Sequence, residues 1–123
     1  TLEAVIAQRL VRTVCRDCRT EYEPDEELLR ELGPDAAHVR GRRLAYGKGC
    51  AACHHTGYRG RRGIFEILHV DEELRRAIHA GASSGELRRI ATAAGMRTLR
   101  QSGLRALVEG RTTIEEVLRE TGS

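Results

Sequence analysis

"GCAACHHTGYRGRRGIFEIL", residues 49–68, decides how the rest of the chain is read. Cys50 and Cys53 form a C-x-x-C turn, followed at once by His54 and His55. C-x-x-C-H can mark covalent haem attachment, and the same two cysteines can be half of a metal site. The only other cysteines, Cys15 and Cys18, are a second C-x-x-C, with 31 residues between the pairs. Each turn can aim two sulfurs at one ion, and two turns complete a tetrahedron of thiolates. Haem would leave Cys15 and Cys18 unexplained. A redox dithiol needs only one pair and a β-α-β setting that is missing here. Disulfides need an oxidising compartment, and nothing in the chain addresses it to one. Structural Zn²⁺ on Cys15, Cys18, Cys50 and Cys53 is therefore the expected reading, with an iron–sulfur cluster behind it.

His54 or His55 could each replace a cysteine as ligand. Four cysteines already fill the shell, so both histidines are expected in solvent or as hydrogen-bond donors around it. Four thiolates and Zn²⁺ sum to −2, a charge that Arg16, Arg19 and Lys48 are placed to offset, unless they are simply solvated. A closed site has no open coordination position, so its role is to staple the fold, and no catalytic residue is expected.

The chain has 123 residues, no Trp, and as aromatics only Tyr22, Tyr46, Tyr58 and Phe65. A domain this poor in large side chains gains from a metal or a larger partner. No apolar run approaches the roughly 20 residues of a membrane span. The opening "TLEAVIAQRLVR" is too short and too polar for a signal peptide, lacks an initiator Met, and suggests a piece of a longer protein. Net charge is +3, but residues 19–39 carry −5 and residues 40–70 carry +6. These blocks can pair with each other, or the basic one can face an anionic partner.

Leu2, Val5, Ile6, Leu10 and Val11 repeat with helical spacing, which predicts a helix ending just before Cys15. Pro24-Asp25 opens a second helix, "DEELLREL", stopped by Gly33-Pro34. Residues 43–47 read as a short strand. "GIFEILHV" (63–70) reads as a strand without clean alternation, hence covered on both faces. From residue 71 the pattern is helical. Asp71, Ser83, Thr98 and Thr113 stand as N-caps, with capping-box spacing at Ser83/Glu86 and Thr113/Glu116. Gly81, Gly95 and Gly110 close the first three of these helices. The expected core of this part is Leu74, Ile78, Leu87, Ile90, Leu99, Leu104, Leu107, Val108, Ile114, Val117 and Leu118. The fold class is thus α+β: a small tetracysteine element with a short sheet, then a bundle of short helices.

"QRLVRTVCRDC" (8–18), "GCAACHHTGYRGRRGIFEIL" (49–68) and "GMRTLRQSGLRALVEGRTTIEEVLRET" (95–121) together resemble the C-terminal part of the type II secretion and type IV pilus assembly ATPases, the GspE/PilB type. The resemblance implies a cytoplasmic, hexameric motor at the bacterial inner membrane, acting through platform proteins. It implies the four cysteines as zinc ligands and a structural turn at Gly57, Tyr58, Gly60 and Arg61. It also implies three successive parts: residues 1–14 as the last helix of the ATPase core, 15–70 as the zinc-binding subdomain, and 71–123 as a helical C-terminal subdomain. ATP and Mg²⁺ would belong to the absent core. Lys48 is the sole lysine and is followed by Gly49, so no phosphate loop ending in Lys-Ser/Thr exists in this chain. "QRLVRTVC" and "VDEELRRAIH" lean towards the secretion ATPase over the pilus extension ATPase.

A nucleic-acid-binding zinc module is the competing reading. Arg40, Arg42, Arg43, Lys48, Arg59, Arg61 and Arg62 favour it. Only Tyr46, Tyr58 and Phe65 could stack on bases, and the acidic block can neutralise the basic one, so nucleic acid is the weaker partner.

Overall fold

The computed structural model describes residues 4–122. Two antiparallel strand pairs and five short α-helices make up the fold. In chain order these are β1 (Ala4–Val14), β2 (Arg19–Tyr22), α1 (Glu26–Leu32), β3 (Leu44–Gly47), β4 (Tyr58–His69), α2 (Glu72–His79), α3 (Ser84–Ala93), α4 (Leu99–Val108) and α5 (Ile114–Thr121). Short 3-10 turns occupy Gly33–His38 and Ala51–Cys53. No described helix is long and apolar enough to cross a membrane.

The predicted helix before Cys15 is instead β1; Leu2, the first residue of that pattern, lies outside the described residues. Val5, Ile6, Val11, Thr13 and Val14 are β-branched and favour a pleated chain. The partner strand lies some fifty residues downstream, beyond any local pattern. β1 pairs with β4 from Ala4↔His69 to Arg12↔Arg61, then slips to Val14↔Tyr58. Thr13 therefore faces two residues, Arg59 and Gly60, in a bulge that sharpens the twist before the first cysteine.

Paired residues share a face. Ile64 and Val11 lie on the covered face and are buried. Gly103 of α4 lets that helix approach Ile64 and Val117 closely. The other face carries Ile6, Leu10, Phe65 and Ile67, each 40% exposed or more. Residues 63–70 are thus covered on one face, not both. The irregular apolar pattern reflects apolar side chains left in solvent, not a second packed layer.

The strand at β3 and the helices α1 to α5 stand where the start and stop signals put them. Asp25, Asp71, Ser83, Thr98 and Thr113 each accept a backbone N–H in the first turn of their helix. The reciprocal box forms at Thr98/Gln101. At Thr113 the side chain of Glu116 does not close a box, because it is taken by Arg12 of β1.

The core is Leu29, Leu32, Ala36, Val39 and Leu44 from the first half, packed against Leu104, Leu107, Ile114 and Val117 of α4 and α5. Leu74 of α2 is buried separately. Ile78, expected inside, is 45% exposed. α2 and α3 pack on each other and on the far end of the hairpin, and offer no second layer to cover it.

Candidate metal centre

Two turns carry the cysteines. The first follows the bulge. Val14 N–H donates to the Arg111 carbonyl at 2.9 Å and Cys15 N–H to the Gly57 carbonyl at 3.0 Å, so the end of β1 is pinned from two sides. The second follows β3 and closes tightly, with Cys53 N–H and His55 N–H both donating to the Cys50 carbonyl. β2 and β3 pair from Arg19↔Gly47 to Tyr22↔Leu44 and hold the two turns side by side.

The approach is closest at Gly47 and Gly57. A Cβ on either would overlap the backbone of the other, and Gly57 also has φ +85. Neither position admits a side chain, which explains the Gly57 of the "TGYRGR" string. His54 and His55 take left-handed backbone, φ 54 and 62, to complete the turn. Both side chains are exposed and lie outside the sulfur cluster.

Cys15, Cys18, Cys50 and Cys53 come together with all four Sγ atoms within 4.8 Å of one another. Cys15–Cys50 and Cys18–Cys53 are 3.8 Å apart, and Cys50–Cys53 3.7 Å. A disulfide would require about 2.05 Å. A tetrahedral ion with thiolate bonds of about 2.3 Å has S···S edges of about 3.8 Å. The spacing therefore suits one tetrahedrally held ion and no disulfide. Cys15 and Cys53 are buried, while Cys18 and Cys50 are half-exposed.

The donor set fits a cation on electrostatic grounds too. Gly49 N–H donates to the Cys18 sulfur at 3.3 Å, and Cys50 N–H and Gly57 N–H to the Cys53 sulfur at 3.3 and 3.2 Å. Burial works against ionising Cys53, but these two N–H donors and the Cys50 and Cys18 thiols outweigh it and bring the group down to about 6. Cys18 is pushed up to about 12, burial being the largest cause, with the neighbouring sulfurs adding to it. N–H groups aimed at these sulfurs favour the thiolate, the form in which cysteine binds a divalent cation. These four residues could hold a metal ion, which when bound would tie the two turns together.

Around the sulfurs the "TGYRGR" residues are structural contacts. Tyr58 Oη lies 2.8 Å from Thr113 Oγ1, and the Arg12 guanidinium sits 4.1 Å above the Tyr58 ring. Arg12 also forms a hydrogen-bonded ion pair with the buried Glu116, which holds its pKa above the ordinary arginine value. Thr112 Oγ1 donates to the Arg12 carbonyl at 2.8 Å. This network joins the hairpin to the start of α5. Its only trace in the sequence is the "RTTIEE" string, where Glu116 reads as part of a cap. Glu66 is a second unforeseen node: it accepts from Arg88 of α3 and from Leu99 N–H at the start of α4. Arg16, Arg19 and Lys48 are exposed and form no ion pair among the described residues. Within the basic block, Arg40, Arg59 and Arg62 pair with Glu26, Asp17 and Glu109.

Residues 1–119 match the family model described as Type II/IV secretion system protein. Among curated relatives, the type IV pilus assembly ATPase PilB of Thermus thermophilus is 51% identical over 120 residues, 98% of this chain and 14% of that protein. The type II secretion system protein E of Pseudomonas aeruginosa is 44% identical over 117 residues, 95% of this chain and 23% of that protein. HxcR, a type II secretion system protein of the same organism, is 43% identical over 117 residues, 95% of this chain and 21% of that protein. Pilus and secretion proteins thus stand together among the relatives, and the chain spans less than a quarter of the length of these three. A family match over residues 1–119, nearly the whole chain, means that the chain belongs to the Type II/IV secretion system protein family.

Proposed function

We propose that this chain is the C-terminal zinc-binding and helical region of a hexameric, cytoplasmic ATPase that powers type II protein secretion or type IV pilus assembly. The observation that carries the proposal is the four-sulfur cluster, with edges that suit tetrahedral zinc, in a chain that matches the family along nearly its whole length. Zinc is favoured over iron–sulfur because one ion, and not a cluster of several, fits sulfurs this close. In this reading Cys15, Cys18, Cys50 and Cys53 are structural ligands. Residues 1–14, 15–70 and 71–123 are successive modules of the parent, with the β1–β4 hairpin crossing the first limit. ATP and Mg²⁺ bind elsewhere in the parent, and this region contributes stability and packing surface instead of hydrolysis. Its partners are neighbouring subunits and the platform proteins of the inner membrane, to which the motor is peripheral.

The test is genetic and biochemical. Cys50→Ser in the parent gene should abolish export of secreted enzymes or assembly of pili, whichever the parent serves, and the 123-residue chain should show no ATPase activity. Normal export and normal pili in a strain that makes the variant at wild-type level would refute it. Which phenotype is lost decides between the secretion and pilus systems. Charge reversal at Arg59, Arg61 and Arg62 should weaken ring assembly if the basic block meets a neighbouring subunit, and unchanged assembly would refute that contact.

A further inference from the structure

The bulge, the first cysteine turn and the α4–α5 connection enclose a cleft of about 760 Å³. Its walls include Arg16, Arg19, Arg59 and Arg111, opposed by Asp17 and Glu109. Three separate segments are fixed around it. Val14 N–H binds the Arg111 carbonyl and Thr13 Oγ1 donates to the Arg59 carbonyl, which hold those two arginines to the bulge. Arg19 lies against Gly110, where a Cβ would overlap its Nη2. Glycine at 110, at φ +76, both ends α4 and leaves room for the guanidinium.

The cleft's positive charge is poorly answered. Arg16, Arg19 and Arg111 form no ion pair among the described residues. Asp17 makes one loose contact with Arg59, at 3.8 Å and largely in solvent. Glu109 is already taken by Arg62 at 3.0 Å and Arg105 at 3.6 Å. Arg16, Arg19 and Arg111 outnumber the two lining carboxylates and pair with neither, and guanidinium forks in that state are suited to phosphate groups, which they grip with two hydrogen bonds each. The volume falls within the ordinary range of small-ligand pockets, about 300–1,000 Å³. Val14 is the sole apolar lining residue and no aromatic ring faces the cleft, so nothing there receives a nucleobase.

We infer that this cleft binds a small polyanion recognised through its phosphate groups, with Arg19 and Arg111 as its principal contacts. The inference does not depend on the motor reading. Its competitor is that Arg16 and Arg19 serve only to offset the charge of the thiolate cluster beside them.

The experiment uses metal-loaded protein and fructose 1,6-bisphosphate, a two-phosphate probe with no base, titrated calorimetrically at low salt. Metal content is measured on every sample. Saturable one-to-one binding is expected, weakening with added salt. Arg19→Ala with Arg111→Ala should weaken it at least about tenfold, with one metal per chain retained. Arg42→Ala with Arg43→Ala, outside the cleft, should leave it within about twofold. Absence of saturable binding, or equal weakening by both pairs, overturns the inference. Loss of metal from the Arg19/Arg111 variant also overturns it, because the arginines would then serve the sulfurs. The metal reading is tested separately by the wild-type metal content, so the two can fail independently.

Discussion

Arg12→Ala should be among the most damaging single changes outside the cysteines, although Arg12 sits on a half-exposed strand. Glu116, its partner, is 2% exposed, whereas the arginine is 45% exposed. Removing the partner of a buried charge costs about 3–5 kcal/mol when both members are buried. Water reaching the guanidinium side lowers this to about 2–3 kcal/mol. The guanidinium also lies over the Tyr58 ring, and that contact adds about 0.5–1 kcal/mol. The expected loss is about 3 kcal/mol, or a fall in melting temperature of about 10–15 °C for a chain of this size. Glu116→Gln should cost less, about 1–2 kcal/mol, since the amide oxygen still accepts from Arg12. The assay is denaturant unfolding of the metal-loaded chain, with both single variants and the double variant. The double variant should be more stable than the sum of the singles predicts, with a coupling of about 1–2 kcal/mol. A loss below about 0.5 kcal/mol for Arg12→Ala, with no coupling, would refute the role given to this network.

Three other outcomes follow from the same structure. Gly57→Ala forces a Cβ into the Gly47 carbonyl at a left-handed backbone position and disturbs the N–H donor to Cys53; it should cost about 2–3 kcal/mol and slow metal uptake, read by thermal melts and a zinc-indicator competition. Glu66 should make stability depend on acid pH. Burial works against its ionisation, but the Arg88 and Leu99 donors outweigh it, so its folded pKa lies below the ordinary value. The stabilisation is then full above the unfolded carboxylate pKa of about 4.3 and is lost as pH falls through the folded one. Glu66→Gln should flatten the acid limb of the stability curve, and an unchanged limb would contradict this. Finally, chelation or Cys50→Ser should open residues 15–20 and 47–57 to hydrogen exchange before the helices after residue 71, because those turns have no core of their own. Simultaneous loss of protection in both would contradict the stapling role.

What the sequence reveals, and what it hides, follows from the range of each interaction. Helix limits were legible because caps are local: Asp71, Thr98 and Thr113 each satisfy an N–H three residues ahead. The cysteine cluster was legible because metal chemistry demands a residue type at a fixed spacing. β1 was hidden because its helical-looking pattern, Val5, Ile6, Leu10 and Val11, is overridden by a ladder to residues 58–69. Only Val11 of these four reaches the interior. The core contribution of Leu29, Leu32 and Val39 was equally invisible, since its partners lie on α4 and α5. Arg12, Glu66 and Glu116 have no motif to announce them; their importance comes from pairings 22 to 104 residues apart.

The most direct test of the account is metal content by mass spectrometry on protein purified without added metal, with thiols titrated before and after chelation. The account predicts one zinc per chain, no reactive thiol before chelation, and four released together afterwards. Protein that is folded yet carries no zinc, or that yields a disulfide, haem or iron instead, would contradict it.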